Sequence, residues 1–284
     1  MRIFRSAFSG AAVVAGILAL ALPGGATAQT PLPDQPGSQI VIGGGGDGLS
    51  AAETEDLAAY QAAAEAFQRR GFAGLNSYQA RLRRAINRAP ASYPAIEQAG
   101  DTWIVRSNDL GEGLMLSVMA SAAAQNAAAP GARVNVSTQP NVYPMIALLL
   151  GSAAVERHKY SEALDLLDRG LAMQPLHWQL LAERISALYG LQRWEEGLKA
   201  ADEALASGDM LIGMHAAPFH RKRGFGLVEL GRLDEAQAAY EESLKDEPDN
   251  TTALGELEYI RGLRRGAAPV AGQVIVPPAP SPST

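Results

Sequence analysis

Apolar positions along the chain change character from block to block, and each change marks a boundary. The first block is continuous: AAVVAGILALAL, from Ala11 to Leu22, lies behind Arg2 and Arg5. Pro23, Gly24 and Gly25 interrupt it, and Ala26-Thr27-Ala28 follows. A basic start, a short apolar run and a small-x-small site, in that order, are the features of a cleaved secretory signal. An uncleaved membrane anchor is the alternative. A spanning helix needs about 20 apolar residues, and this run is shorter. The expectation is a signal over residues 1–28, a mature chain starting at Gln29, and a periplasmic or secreted protein.

Residues 29–49, QTPLPDQPGSQIVIGGGGDGL, carry no helical period and are rich in Pro and Gly. Pro removes backbone donors and Gly weakens any regular element, so this stretch reads as a flexible leader. The run Gly43 to Gly46 lacks the Lys-Ser/Thr of a phosphate-binding loop, and no helix opens directly on it.

Helical spacing begins at Ser50, which with Glu53 forms a capping-box pattern. Leu57, Tyr60, Ala64 and Phe67 make one apolar stripe, ended by Gly71. Phe72, Leu75, Tyr78, Leu82 and Ile86 make a second, closed by Pro90. The two read as an antiparallel pair. Arg69, Arg70, Arg81, Arg83, Arg84 and Arg88 crowd it, as a solvated face or as a patch for an acidic partner. Residues 91–143 are less regular. Asp101 to Arg106 reads as a short extended segment. Asp109 and Glu112 give a second capping box, opening a helix to about Gln125. Residues 127–142, with Pro130, Gly131 and Pro140, read as a loop.

From Pro144 the chain repeats itself. Tyr160-Ser-Glu-Ala163, Trp194-Glu-Glu-Gly197 and Leu233-Asp-Glu-Ala236 each place a large residue, then acid, then a small residue. Twelve residues before each small residue stand Gly151, Ile185 and Gly224; twelve after it stand Pro175, Asp209 and Pro248. The spacing is 34 residues between the first two copies and 39 between the second and third. The five extra residues fall near Met210–Met214. This pattern resembles the tetratricopeptide repeat family, whose unit is a helix-turn-helix of that length. The resemblance covers 144–177, 178–211 and 217–250, with the middle copy loosest. Thr251–Arg265 has the stripe Leu254, Leu257, Ile260 and Leu263, as expected of an end helix. Residues 266–284 are Pro-rich and read as a disordered tail.

The expected fold class is therefore all-α: an α-solenoid of about three helix pairs with a capping helix (144–265), behind a smaller helical region (50–143). Composition agrees, since aromatics are 6% and Ala, the best helix former, is abundant. There is no Cys, which excludes disulfides and a Cys-linked lipid. The net charge of −6 becomes −8 without Arg2 and Arg5, which disfavours nucleic acid and anionic membrane as partners. The chain has no HExxH and no GxSxG, and His215 and His220 have no adjacent carboxylate for a metal site. No cofactor and no catalytic residue are expected.

The resemblance implies a non-catalytic role: a groove lined by the first helix of each pair binds a segment of another protein. On this chain it implies Gln179, Glu183, Ser186 and Tyr189 from the second pair and Arg221, Lys222 and Phe225 from the third. The first pair offers Met145, Leu148 and Ser152, which lack the Lys and Asn of the family's carboxylate clamp. Arg221 and Lys222 beside Phe225 suggest an acidic partner segment with an apolar anchor. The alternatives are a structural subunit of an envelope assembly and an enzyme with its site in 91–143.

Overall fold

The computed structural model describes residues 48–127 and 134–270, with the strand segments β1 (Ser6–Ala7), β2 (Ile40–Gly44) and β6 (Gln273–Val274). The apolar run and cleavage motif of the expected signal lie outside the described residues. Among the described residues no helix is long and apolar enough to cross a membrane. The chain divides into two compact units, one of residues 15–146 and one of 147–284 with 1–14. The chain is mostly helical.

In the first unit, α1 (Ala51–Arg70) starts at the expected capping box. Ser50 Oγ accepts from Glu53 N at 3.2 Å, and Glu53 Oε2 accepts from Ser50 N at 2.9 Å. Gly71 ends the helix at φ +59°, a conformation open to Gly at little cost. The second expected helix is split into a 3₁₀ stretch, Gly71–Ser77, and α2, Gln79–Asn87. The tight stretch holds Gly74 so close to Ala66 that any Cβ would strike the Ala66 carbonyl. Some of the arginines here have internal partners. Arg88 forks onto the fully buried Asp56, and Arg81 reaches Glu55 at 3.5 Å.

A four-stranded sheet, in the order β2-β5-β4-β3, corrects the reading of this region as helical alone. The strands are β2 (Ile40–Gly44), β3 (Ile96–Ala99), β4 (Thr102–Ser107) and β5 (Val134–Pro140). β2, β5 and β4 run parallel, and β3 is antiparallel to β4. Residues 40–44 are thus a strand and not leader, and 134–140 a strand and not loop. α3 (Leu110–Ala127) connects β4 to β5 as the crossover that parallel strands require. It opens as expected: Asp109 Oδ1 accepts from Glu112 N at 2.9 Å, and Glu112 Oε2 accepts from Asn108 N at 2.8 Å. Burial pushes the Glu112 carboxyl up to about 7. Leu116, Ala120 and Ala124 are buried, whereas Leu110, Leu114 and Val118 form an exposed apolar stripe.

α4 (Val142–Glu156) contains the division between the units. The second unit then stacks helix pairs: α5 (Tyr160–Met173); α6 (Trp178–Gly190) with α7 (Trp194–Ala206); α9 (Ala216–Glu229) with α10 (Leu233–Asp246); and the end helix α11 (Thr251–Arg264). Between α7 and α9 lies the short α8 (Met210–Met214). The expected register is visible in three independent features. The turn inside each pair has a positive-φ residue, His158, Gln192 or Gly231, five positions before Ala163, Gly197 or Ala236. Each second helix opens on a basic residue paired with the acid three on: Lys159–Glu162, Arg193–Glu196 and Arg232–Glu235. Each pair is also tied to the previous one at equivalent positions, Arg184 to Asp168 and Arg223 to Asp202, both at 2.6 Å. These ties are half exposed and worth about 0–1 kcal/mol each. Their value is in fixing register.

Stability comes from the apolar faces that stacking covers. One core cluster joins Ala182, Ile185, Tyr189, Ala201, Phe219 and Phe225; a second joins Leu227, Ala236, Tyr240, Ala253 and Ile260. The insertion folds back by burying Ile212 in the first cluster, while Met210 and Met214 stay exposed. Asp209, at the position where Pro is usual, caps α8 through Ile212 N at 3.0 Å. The end helix sits rotated from the expected stripe. Ala253, Glu256, Tyr259 and Ile260 are buried and Leu254 is exposed, so the face of α11 turned inward is the one that carries these four residues.

Gly224 tests the register directly. A Cβ there would lie 2.8–2.9 Å from the Tyr240 ring. Gly224→Leu should therefore cost about 1–3 kcal/mol through overpacking. A folded variant with an unchanged melting midpoint would show the pairing of α9 with α10 to be wrong.

Candidate functional site

The first helices of the second and third pairs bring the seven implied groove residues together, and all seven are buried. Gln179, Glu183 and Ser186 lie at i, i+4 and i+7, hence on one face of α6. Lys222 faces them from α9, and its Nζ donates to Ser186 Oγ at 2.6 Å. Glu183 is 1% exposed and Lys222 2%. Burial raises the Glu183 carboxyl above its usual range, opposed by the Lys222 charge and the Ser152 hydroxyl. Burial brings Lys222 down to about 8, opposed by Glu183 and reinforced by Arg221. Two opposite charges and two hydroxyls thus share a nearly water-free space. It is not fully satisfied: Glu183 Oε2 and Ser152 Oγ make no hydrogen bond of full geometry, although the Ser152 hydroxyl is near enough to favour the ionised Glu183 carboxyl.

The other members have different roles. Arg221 Nη1 donates to Glu247 Oε2 at 2.8 Å, and Asn250 Nδ2 donates to the same oxygen at 2.8 Å, so Arg221 ties α9 to the end of α10. Tyr189 and Phe225 are core. Their rings are 5.5 Å apart, and Trp194 lies 5.7 Å from Tyr189 and 6.1 Å from Phe225. The Tyr189 hydroxyl donates to the Lys222 carbonyl at 2.9 Å, so its position fixes Lys222. Phe225, expected as the groove's aromatic contact, is instead filled around by the aromatic cluster. A side chain 1% exposed has no face left for a partner. Met145 and Leu148 are also core.

Glu256 was hidden from the sequence. It lies on the buried face of α11. Its signal was its spacing from Ala253 and Ile260, which puts an acid among core positions. His215 stacks on Trp178 with ring centroids 3.8 Å apart. Among the described residues no group of three His, Cys, Asp or Glu is placed to hold a metal ion.

Stacked helix pairs, a small residue at each close approach and a polar strip along the first helices define an α-solenoid of the recognition type. The array is built of tetratricopeptide repeats: residues 148–209 and 223–262 match the tetratricopeptide repeat family model. RNA polymerase II-associated protein 3 of Mus musculus is 32% identical over 110 residues, 39% of this chain and 16% of that protein. The Homo sapiens protein is 31% identical over 110 residues, with the same shares. The chain therefore spans only 16% of the length of these relatives. Among solved structures, the first TPR of Spaghetti (RPAP3) bound to the HSP90 peptide SRMEEVD is 28% identical, covering 42% of this chain and 94% of that one, with a TM-score of 0.38. The Sgt2 TPR domain from Aspergillus fumigatus is 23% identical, covering 46% and 87%, with a TM-score of 0.37.

Proposed function

We propose that the array is a non-catalytic protein-interaction module of an exported protein, and that it takes a partner's segment along the face of its first helices. The observation that carries this is the Glu183–Ser186–Lys222 cluster. Charged groups withdrawn from water cost stability unless fully paired, and this cluster keeps a carboxylate oxygen with no hydrogen bond of full geometry. Such groups belong where a ligand completes their bonding. The partner is a segment carrying charge, with Lys222 and Arg221 favouring an acid. Export rests on the basic start, apolar run and cleavage motif of residues 1–28.

The test is a peptide-display selection on the immobilised full chain, followed by binding kinetics of the enriched peptides at two salt concentrations. SRMEEVD, an acidic peptide with apolar residues, serves as a reference probe. Enrichment of acidic segments is expected, with association slowed by salt and by Arg221→Glu with Lys222→Glu. No enrichment, or binding indifferent to the double substitution in a folded variant, would remove the groove reading. N-terminal sequencing of the native protein should begin at Gln29; a retained Met1 would remove export.

A further inference from the structure

The insertion between the second and third pairs adds a short helix that the repeat itself does not require. That helix, α8, is fixed at both ends: Gly213 N donates to Asp209 O at 2.9 Å, and His215 N donates to Ile212 O at 3.1 Å. Ile212 is buried in the core, and Met210 and Met214, each two residues from it, project from the opposite side of the helix. They are 44% and 66% exposed. At i and i+4 they are neighbours, with Cβ atoms about 5–6 Å apart. His215 follows Met214 directly. Its ring is stacked on Trp178 of α6, with centroids 3.8 Å apart and planes within 14° of parallel. Trp178 in turn packs on the core cluster of Ile185 and Phe219. Two thioethers and an imidazole are thus presented side by side from a fixed frame.

We propose that Met210, Met214 and His215 form a binding site for a soft monovalent metal ion, copper(I), beside the face of Trp178. The donor types choose the ion. Carboxylate and carbonyl oxygens suit hard ions, whereas thioether sulfur selects copper(I), and imidazole is compatible with it. The chain has no Cys, so no thiol of its own competes. Reach is not limiting, because a Met side chain turns about three bonds and these two stand in solvent. An imidazole has two ring nitrogens, so one holds an ion while the other makes the hydrogen bond that orients the ring. The stack then places the charge. An ion bound by imidazole lies in the ring plane, about 2 Å from the nitrogen. With nearly parallel rings 3.8 Å apart, that puts it about 5 Å from the indole centroid, inside the about 6 Å over which a ring face attracts a cation. Trp178 therefore both holds the imidazole and offers its π face to the ion. An apolar docking patch is the other use of exposed methionines, but it needs neither the imidazole nor the stack.

The test uses the full chain, with copper(I) supplied as its coloured bicinchoninate complex and silver(I) as a stand-in that keeps its oxidation state. The protein should take one copper(I) per chain from the complex and lose part of its tryptophan emission. Met210→Leu and Met214→Leu keep the apolar surface and remove the sulfur. Each should weaken binding by at least the roughly 10–100-fold that losing the hydrogen-bond partner of a metal ligand costs. His215→Phe keeps an aromatic ring against Trp178 and should weaken binding as much. Trp178→Phe should still take the ion but lose the change in emission. Met119→Leu removes an exposed methionine of α3 and should change nothing. One measurement needs no substitution to test the site. In protein labelled with 13C at its methionine methyls, silver(I) should shift two resonances well ahead of the others, and the two Leu variants assign them to Met210 and Met214. Uptake unchanged by the Met210→Leu, Met214→Leu double substitution would overturn the proposal. So would shifts spread evenly over the methionines, or displacement of the ion by an equal amount of zinc(II). A patch that binds apolar peptides but takes no metal would overturn it in favour of docking.

Discussion

Phe225→Ala should lower the stability of the array by about 3–5 kcal/mol, the usual cost of emptying a buried aromatic site. For a chain of this size that corresponds to a fall in melting midpoint of roughly 6–20 °C. Phe225 is 1% exposed and belongs to the cluster of Tyr189, Ile185, Ala201 and Phe219. Trp194 and Tyr189 close around it, and Tyr189 is itself held by its hydrogen bond to the Lys222 carbonyl. The measurement is helical circular dichroism against temperature. Residue type and position alone allow a second outcome, in which Phe225 is a binding hot spot: fast dissociation of a peptide with an unchanged midpoint. That result in a folded variant would mean that the aromatic cluster opens towards the groove. The expectation here is the reverse, a lower midpoint, with peptide affinity lost only as far as the array itself is lost.

Phe225 also shows what the sequence could and could not give. Its helix and register were legible, because small residues recur where helices touch and Pro falls where they end. Gly224 against Tyr240 and Gly151 against Leu167 are the contacts that this spacing implies. Which side of α9 faces inward was less legible. A helix between two neighbours buries more than one face, and one rotation of about 100° exchanges core for groove. The same ambiguity affects α11, where the expected stripe holds Leu254, which is exposed, and omits Glu256, which is buried. The acid-base ties Arg184–Asp168 and Arg223–Asp202 were present in the sequence at repeat spacing, and they would have fixed the faces had they been aligned.

The sheet was hidden for another reason. β2 pairs with β5 through Ile40 and Val134, and β4 pairs with β5 through Thr102 and Asn135. Such pairings join residues far apart in the chain, and parallel strands need not alternate apolar with polar. IVIGG in a Pro- and Gly-rich stretch, and VNVSTQP ending in Pro, carry no local period to announce them. The capping boxes at Ser50–Glu53 and Asp109–Glu112 are local, and both were readable.

Replacing the buried charges should stabilise the protein while harming its binding. Glu183→Met with Lys222→Met keeps the volume and removes two desolvated charges. Such exchanges are often neutral or stabilising by about 1–4 kcal/mol, so a gain in that range is expected in urea unfolding at pH 7. The signs of the pKa shifts give a sharper check. Lys222 titrates near 8 in the folded protein against 10.5 for the free side chain. Between those values the unfolded chain binds the extra proton, so the Lys222 contribution makes wild-type stability rise with pH. Glu183 is shifted upward, so above the ordinary carboxylate pKa it is the folded chain that holds the extra proton. Its contribution is full at low pH and is lost as pH rises through its folded pKa. Both slopes should be missing from the double variant. Its advantage should therefore narrow from pH 8 towards 10 as wild-type Lys222 gives up its proton, and narrow again towards pH 4 as Glu183 takes one. Lys222→Met alone leaves Glu183 buried without a counter-charge, so it should be less stable than the double variant at pH 7, by a margin that closes as the pH falls. A folded double variant less stable than wild type at pH 7 would show that the cluster serves the fold, and would remove the reason for assigning it to recognition.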